Sequence, residues 1–273
     1  GFIGVTQNGE ITTLGRGGSD LTATLIAAAL KADEVWLWSD VNGIMSADPK
    51  LIPNAKSIPQ ISYAEALEMT AFGAKAIHPR AIEPVAEEGI PVRVKNTFAD
   101  SEPGTLITST TQLKVGEVVK ALALVRGVGL ITVSGAGMVG KLGTAAKIFD
   151  VLAKSGVNIL MISQSISESN ISIVVKRNLL HKAVTALELA LLGKGVVSEV
   201  QSEDDISVIA AIGAGMRGTP GVAAKIFGAI AKRGVNIRMI AQGSSELSIS
   251  FVVKERDAVE ALRAIHDELN LGN

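Results

Sequence analysis

The residues that can do chemistry fall in four places. The first is Thr12–Asp20 (TTLGRGGSD), ahead of the helical run Leu21–Lys31. Successive backbone N–H groups in a glycine turn, with a helix N-terminus behind them, make a site for an anion. Arg16 can grip a carboxylate or phosphate with two parallel hydrogen bonds. Ser19 can donate a hydrogen bond, Gly17 lets the backbone come close, and Asp20 can hold an ammonium or stand near a metal. The alternative is a tight turn in which Ser19 or Asp20 only caps the helix. Spacing alone does not separate the two.

The second place is Ser39–Ile44 (SDVNGI) through Asp48-Pro49-Lys50, following the apolar run Glu34–Ser39 (EVWLWS). That run reads as a buried, central strand, and loops at the carboxyl ends of such strands are where ligands sit. Ser39 and Asp40 can face a nucleotide, and Lys50 a phosphate. A polar loop held by Asx turns explains the same residues. The third place is Phe72–Arg80 (FGAKAIHPR). Lys75 can point at a nucleotide, whereas His78 before a proline reads as a packed structural residue. His181 and His266 sit on amphipathic helices and have no chemical role in this reading. Nothing has the ligand spacing of a zinc site, and no Ser-His-Asp arrangement stands out.

The fourth place occurs twice. Gly137–Lys176 and Gly215–Lys254 agree at about 25 of 40 positions, an internal duplication. Each copy has a glycine turn before a helix, Met138–Gly143 and Met216–Gly221. Each then has Gly-Val-Asn-Ile (Asn158 and Ile159, Asn236 and Ile237) opening a strand that ends in Gln164 or Gln242. A turn with Gly140 or Gly218 can receive the carboxylate of a free amino acid, and the glutamine can read its side chain. Close helix-on-sheet packing explains the glycines equally well. It does not explain both glutamines, although copying from one ancestor does.

These residues need elements to hold them. Upstream of about 112, strand-like runs (Phe2–Val5, Glu34–Ser39, Pro91–Asn96) alternate with helical ones (Leu21–Lys31, Tyr63–Phe72, Ala81–Glu88). Ser62 is placed to cap the second helix, and Gly89 to stop the third. The alternation predicts an α/β unit with a mainly parallel sheet covered on both faces. Pro103–Leu113 leads from a strand into a polar linker. Each repeat reads βαββαβ, the order of a small ferredoxin-like domain. The second repeat lacks a last strand, while the strand-like Glu117–Val125 has no role in the first. The prediction is that this segment completes the second repeat, so that the two interlock. The division is 1–112, 113–202 and 203–273.

Composition removes several classes. The formal net charge is −1 with no run of Lys or Arg, so no nucleic-acid or membrane-surface partner is expected. There is no cysteine, which excludes disulfides and thiolate chemistry. No apolar run reaches the length of a bilayer span, and a soluble cytoplasmic protein is expected. Aromatics are 3% against 47% apolar residues, a core of Ala, Val, Ile and Leu. The chain opens at Gly1 directly in a strand-like run, as if cut from a longer protein.

Taken together, TTLGRGGSD, SDVNGIMSADPK, FGAKAIHPR, VRVKNTF and GTLI, followed by two GxxGxAAKIF repeats, resemble the aspartate kinase family over essentially the whole chain. The resemblance implies the C-terminal part of an amino-acid-kinase α/β/α sandwich, followed by two interlocked ferredoxin-like ACT domains. It implies transfer of the γ-phosphoryl group of ATP, with Mg2+, to the β-carboxylate of L-aspartate. By motif position, Arg16, Gly17, Ser19 and Asp20 bind and orient aspartate. Ser39, Asp40, Met45, Lys50, Lys75 and Ala76 bind the nucleotide. Met45 and Lys50 stand where many members have Tyr and Arg, and lysine lacks the bidentate fork of arginine. The family's Lys-x-Gly-Gly-Thr-Ser phosphate-binding segment does not occur in this sequence. The chain alone is therefore expected to be inactive and to expose a sheet edge. The alternative is a non-catalytic amino-acid-binding regulatory subunit or fragment. The family's threonine-responsive members have glutamine at both of these positions, so the resemblance implies L-threonine rather than L-lysine as effector, bound at Met138, Gly140, Asn158, Ile159 and Gln164 and at Met216, Gly218, Asn236, Ile237 and Gln242. Pairing of ACT domains across subunits implies at least a dimer.

Overall fold

The computed structural model describes residues 1–73, 77–109 and 118–272. The chain opens with an antiparallel hairpin, β1 (Ile3–Val5) and β2 (Ile11–Thr13). Helix α1 (Gly18–Leu30) follows, then β3 (Val35–Ser39), β4 (Gln60–Ser62), α2 (Tyr63–Ala71), α3 (Glu83–Glu88), β5 (Val92–Asn96) and β6 (Thr105–Thr108). Local chemistry sets several of these boundaries. Ser62 and Glu65 form a reciprocal capping box at the start of α2. Gly89 ends α3 in the left-handed conformation (φ 69°).

The four strands order as β3-β5-β6-β4, with β3–β5 and β4–β6 parallel and β5–β6 antiparallel. Two expectations fail here. The strand Val35–Ser39 is at the edge of the sheet, not its centre. Only one face of it is covered: Val35 and Leu37 are buried with α1, α2 and α3, while Trp36 and Trp38 stay about half exposed. The sequence VWLWS looks uniformly apolar, but its alternate residues point to opposite faces. The bulk of the tryptophans hid that alternation. Lys95 lies 4.9 Å from the Trp36 ring centre and 5.4 Å from that of Trp38, so the outer face carries a cation over aromatic rings.

The duplicated half forms one six-stranded sheet. Its elements are β7 (Ala121–Ser134), α4 (Thr144–Lys154), β8 (Ile159–Gln164), β9 (Asn170–Lys176), α5 (Arg177–Leu191), β10 (Glu199–Ile212), α6 (Val222–Ala231), β11 (Met239–Gln242), β12 (Ser248–Lys254) and α7 (Ala258–Glu268). The order is β11-β12-β10-β7-β9-β8. The two long strands make the interlock. Ala121–Val125 of β7 pairs with Val208–Ile212 of β10, inside the second repeat. Glu199–Glu203 of β10 pairs with Leu130–Ser134 of β7, inside the first. Each repeat thus receives its fourth strand from the long strand that begins the other; for the second repeat this is the segment that its vacancy called for. Glu117, at the start of the proposed segment, lies outside the described residues, as does the division at 112.

Candidate functional site

The Gly15–Asp20 loop is built by two left-handed glycines, Gly15 (φ 78°) and Gly17 (φ 75°). Gly17 occupies the N-cap position of α1, with no side-chain cap. Helix α1 therefore begins at Gly18, three residues earlier than the sequence suggested, and neither Ser19 nor Asp20 caps it. Their side chains are left for other work. A Cβ on Gly17 would lie 2.2 Å from Cγ of His78, so the loop and the His78 ring touch where only glycine fits. The His78 backbone N–H donates to Oδ2 of Asp20 at 3.2 Å, and the Ser19 hydroxyl leans on Oδ1 at 3.4 Å. Arg16 and Ser19 are exposed beside this pair. No carboxylate pairs with Arg16 among the described residues. The third motif thus meets the first through His78, which packs against Gly17 and braces Asp20. Lys75 and Ala76 lie outside the described residues.

Ser39 ends β3, and its hydroxyl approaches Oδ1 of Asp40 at 3.3 Å. Asp40 is exposed and Ser39 half-buried. The loop beyond is fixed by Gly43 (φ 105°), where a Cβ would lie 2.5 Å from Oγ1 of Thr105. That hydroxyl accepts from the Ile44 N–H at 2.8 Å and donates to the Ile58 carbonyl at 2.6 Å. Past Met45 the loop leaves the sheet and packs into the second repeat. Ala47 and Ile52 are buried with Ile226, Phe251 and Leu262. The Ser46 hydroxyl accepts from the Lys56 N–H at 3.0 Å and lies 3.1 Å from Nε2 of His266 on α7. His266 is fully buried, and burial pushes its pKa below the ordinary histidine value, opposed by nearby Asp267. Lys50 is exposed on this docked stretch. No hydrogen bond or ion pair joins it to Ser39 or Asp40 among the described residues.

The two glycine turns are alike in detail. Gly140 and Gly218 both have φ 66°. The Gly140 N–H donates to Glu168 at 2.9 Å, and the Gly218 N–H to Glu246 at 2.7 Å. Both glutamates are left-handed at φ 55°, which costs a residue with a Cβ about 1–2 kcal/mol. Each glutamate sits in the hairpin that leaves Gln164 or Gln242, the last residue of β8 and of β11. Each glutamate therefore ties the hairpin after its strand to the glycine turn of the same repeat. Met138 and Met216 are buried, so only their backbone can serve a ligand, while Asn158 and Asn236 are exposed. Glu168 and Glu246 escaped the sequence reading. The signal was there: both follow a serine at one register in the two copies.

Residues 1–96 match the amino acid kinase family, and residues 131–191 and 209–269 each match the ACT domain. A chloroplastic bifunctional aspartokinase/homoserine dehydrogenase of Daucus carota is 40% identical over 280 residues, 99% of this chain and 30% of that protein. An aspartokinase of Thermus thermophilus is 39% identical over 279 residues, 99% of this chain and 66% of its own length. The aspartate kinase of Clostridium acetobutylicum superposes with a TM-score of 0.89 at 34% identity, over 99% of this chain and 62% of that one.

The chain belongs to the aspartate kinase family.

It spans about a third of the bifunctional members and close to two thirds of the single-function one. Among solved aspartate kinases, Escherichia coli aspartokinase III in complex with aspartate and ADP superposes at TM-score 0.82 and 34% identity, over 99% of this chain and 60% of that one. The same enzyme in complex with lysine and aspartate gives 0.78 at 33% identity, over 98% and 59%. Family membership accounts for the kinase-type unit, the ACT pair and their order in the chain. No helix among the described residues is long and apolar enough to cross a membrane.

Proposed function

We propose that this chain is the catalytic-loop and sensor part of an aspartate kinase inhibited by an amino acid, with L-threonine the favoured effector. The reaction is attack of a β-carboxylate oxygen of L-aspartate on the γ-phosphorus of ATP, with cleavage of the bond to ADP. The observation that carries this reading is the loop at the start of α1. Arg16 meets no carboxylate among the described residues, Ser19 is exposed and uncapping, and Asp20 is braced by His78. A guanidinium, a hydroxyl and a carboxylate together suit a substrate with two carboxylates and an ammonium. The E. coli relative that holds aspartate and ADP supports that substrate class.

Ser39 and Asp40 sit at the carboxyl end of β3, where nucleotides bind in such sheets. Bound Mg-ATP would supply the phosphoryl group and the cation that neutralises it. Mg2+ needs only one or two protein carboxylates besides phosphate oxygens and water, and Asp40 is placed to give one. Arg16, Ser19 and Asp20 orient the aspartate, and positioning is most of what such catalysis requires. For the 273 residues alone we expect amino-acid binding without turnover, since the family's Lys-x-Gly-Gly-Thr-Ser segment is not in the sequence. The outer strands β8 and β11, with Leu160, Ile162 and Ile240 partly exposed, suit association with a second copy.

The test is thermal unfolding of this chain with millimolar L-threonine, L-lysine and L-methionine in parallel. A ligand at one hundred times its dissociation constant adds about 2.7 kcal/mol to stability. We expect threonine to raise Tm and Gln164→Ala with Gln242→Ala to abolish the rise. A rise with lysine alone would replace the effector. No rise with any of the three would sink the sensing role.

A further inference from the structure

Glu65 is a fully buried carboxylate that belongs to none of the chemical motifs. Its Oε2 accepts from the Ser62 N–H at 2.8 Å, the Ser62 hydroxyl at 3.0 Å and the Lys120 ammonium at 3.1 Å. The capping box needs only that oxygen. Oε1 reaches out of the kinase-type unit and accepts the backbone N–H of Ala214 at 2.7 Å. Ala214 opens the 3-10 turn Ala214–Met216, which runs into Gly218. One turn further along α2, Glu68 accepts from the Ser248 hydroxyl at 2.8 Å, and Ser248 opens β12 just past Glu246. Helix α2 is thus bonded to both strands of chain that build the second glycine turn.

The other end of α2 leads to the substrate loop. Ala66 and Met69 of α2 share a core with Ile77 and Ala81. His78, between those two, holds Asp20 by its N–H and Gly17 by its ring. Among the described residues no hydrogen bond makes such a link to the first repeat. Its residue matching Ala214 is Ala136, which is exposed and faces no carboxylate among the described residues.

We propose that Glu65 couples the second repeat's glycine turn to the Gly15–Asp20 loop, so that an amino acid seated at that turn is felt where aspartate is held. This rests on the reading of turn and loop given above. Contact alone does not establish coupling; a perturbation at one end must move the other.

The perturbation is Ala214→Pro. Proline suits the first residue of a helical turn, and Gly213 before it is already extended (φ 170°, ψ 132°). The substitution deletes the N–H and puts a ring carbon where it pointed, expelling Oε1 of Glu65. Ala136→Pro makes the same change in the first repeat, where Gly135 has φ 172° and ψ 136°. Native-state hydrogen exchange of the ligand-free chain is then read at Leu21, His78 and Ala81. Local opening is visible there without global unfolding. We expect exchange about ten-fold faster than wild type in Ala214→Pro, and within about two-fold in Ala136→Pro. Equal rates in the two proline variants would overturn the proposal. Should Ala214→Pro not fold, Glu65→Met with Lys120→Met removes both charges together, a change that buried pairs often tolerate. The same three amides then decide.

Calorimetry and exchange with added L-threonine or L-lysine separate this idea from the effector reading. Binding that slows exchange at His78 in wild type and Ala136→Pro, but not in Ala214→Pro, supports coupling. Binding with equal slowing in all three refutes it. If neither amino acid binds wild type, the effector reading falls, and the ligand-free comparison still decides the coupling.

Discussion

Arg177 and Glu255 occupy the same position in the two repeats, 78 residues apart, and form an ion pair with each other. The pair therefore straddles the pseudo-two-fold axis that relates the ACT domains. Arg177 also donates to the Val128 carbonyl, at the point where β7 passes from one repeat to the other. Duplication made the two positions equivalent, and divergence to opposite charges let them meet across the seam.

Both side chains are more than a third exposed, so the pair is worth at most about 1 kcal/mol. Arg177→Glu should lower Tm by a few degrees, through repulsion as well as loss. Adding Glu255→Arg should recover most of the difference. A double-mutant cycle by denaturant unfolding measures the coupling, and additive effects would mean that the pair contributes nothing.

Gly17→Ala should be far more costly than an ordinary glycine substitution. The new methyl would enter the His78 ring, and φ 75° is strained for any residue with a Cβ. We expect a loss of about 1–3 kcal/mol, read as a fall in Tm. Gly15→Ala has the same kind of φ, with open space around it, and should cost less.

His266 predicts a pH dependence. Burial lowers its folded pKa below the unfolded value of 6.5. Below that value the unfolded chain binds a proton that the folded one resists, so stability falls with falling pH. The contribution is intact above about pH 6.5 and is lost as pH drops toward the folded pKa. Its hydroxyl partner Ser46 suits the neutral ring: Ser46 already accepts from Lys56, and so can donate to Nε2. The difference in Tm between pH 7.5 and 5.5 should shrink in His266→Gln. An unchanged difference would assign the acid sensitivity elsewhere.

The left-handed glutamates give a prediction in which two effects oppose. Glu168→Gly relieves a strained backbone worth about 1 kcal/mol and gives up a charge-assisted hydrogen bond of similar size. Stability should stay nearly constant. The Gly140 amide, which donates to Glu168, should exchange about ten-fold faster. Glu246→Gly should do the same at Gly218. Protection that persists would show that the carboxylates do not hold the turns.

Some of this was legible because the determining interactions are local. Ser62 announces a helix start one residue ahead of it. Gly89 ends one by its own φ. The duplication is a comparison of the sequence with itself, and counting strands in each copy exposed the vacancy that Ala121–Val125 fills. The kinase motifs are contiguous, so their order is read directly.

What remained hidden depends on residues far apart in the chain. Whether Val35–Ser39 is central or at an edge is decided by which strands pair with it, not by its own apolar content. Glu65 spends one oxygen on the local cap, and the other on Ala214, 149 residues on. Ser46 meets His266 across 220 residues, which turns a helix histidine without chemistry into the anchor of the loop that follows β3. Periodicity and capping act over one or two turns and are written in neighbouring residues. These contacts form only when two separately specified surfaces pack, so the tertiary structure alone decides which polar atoms they bring face to face.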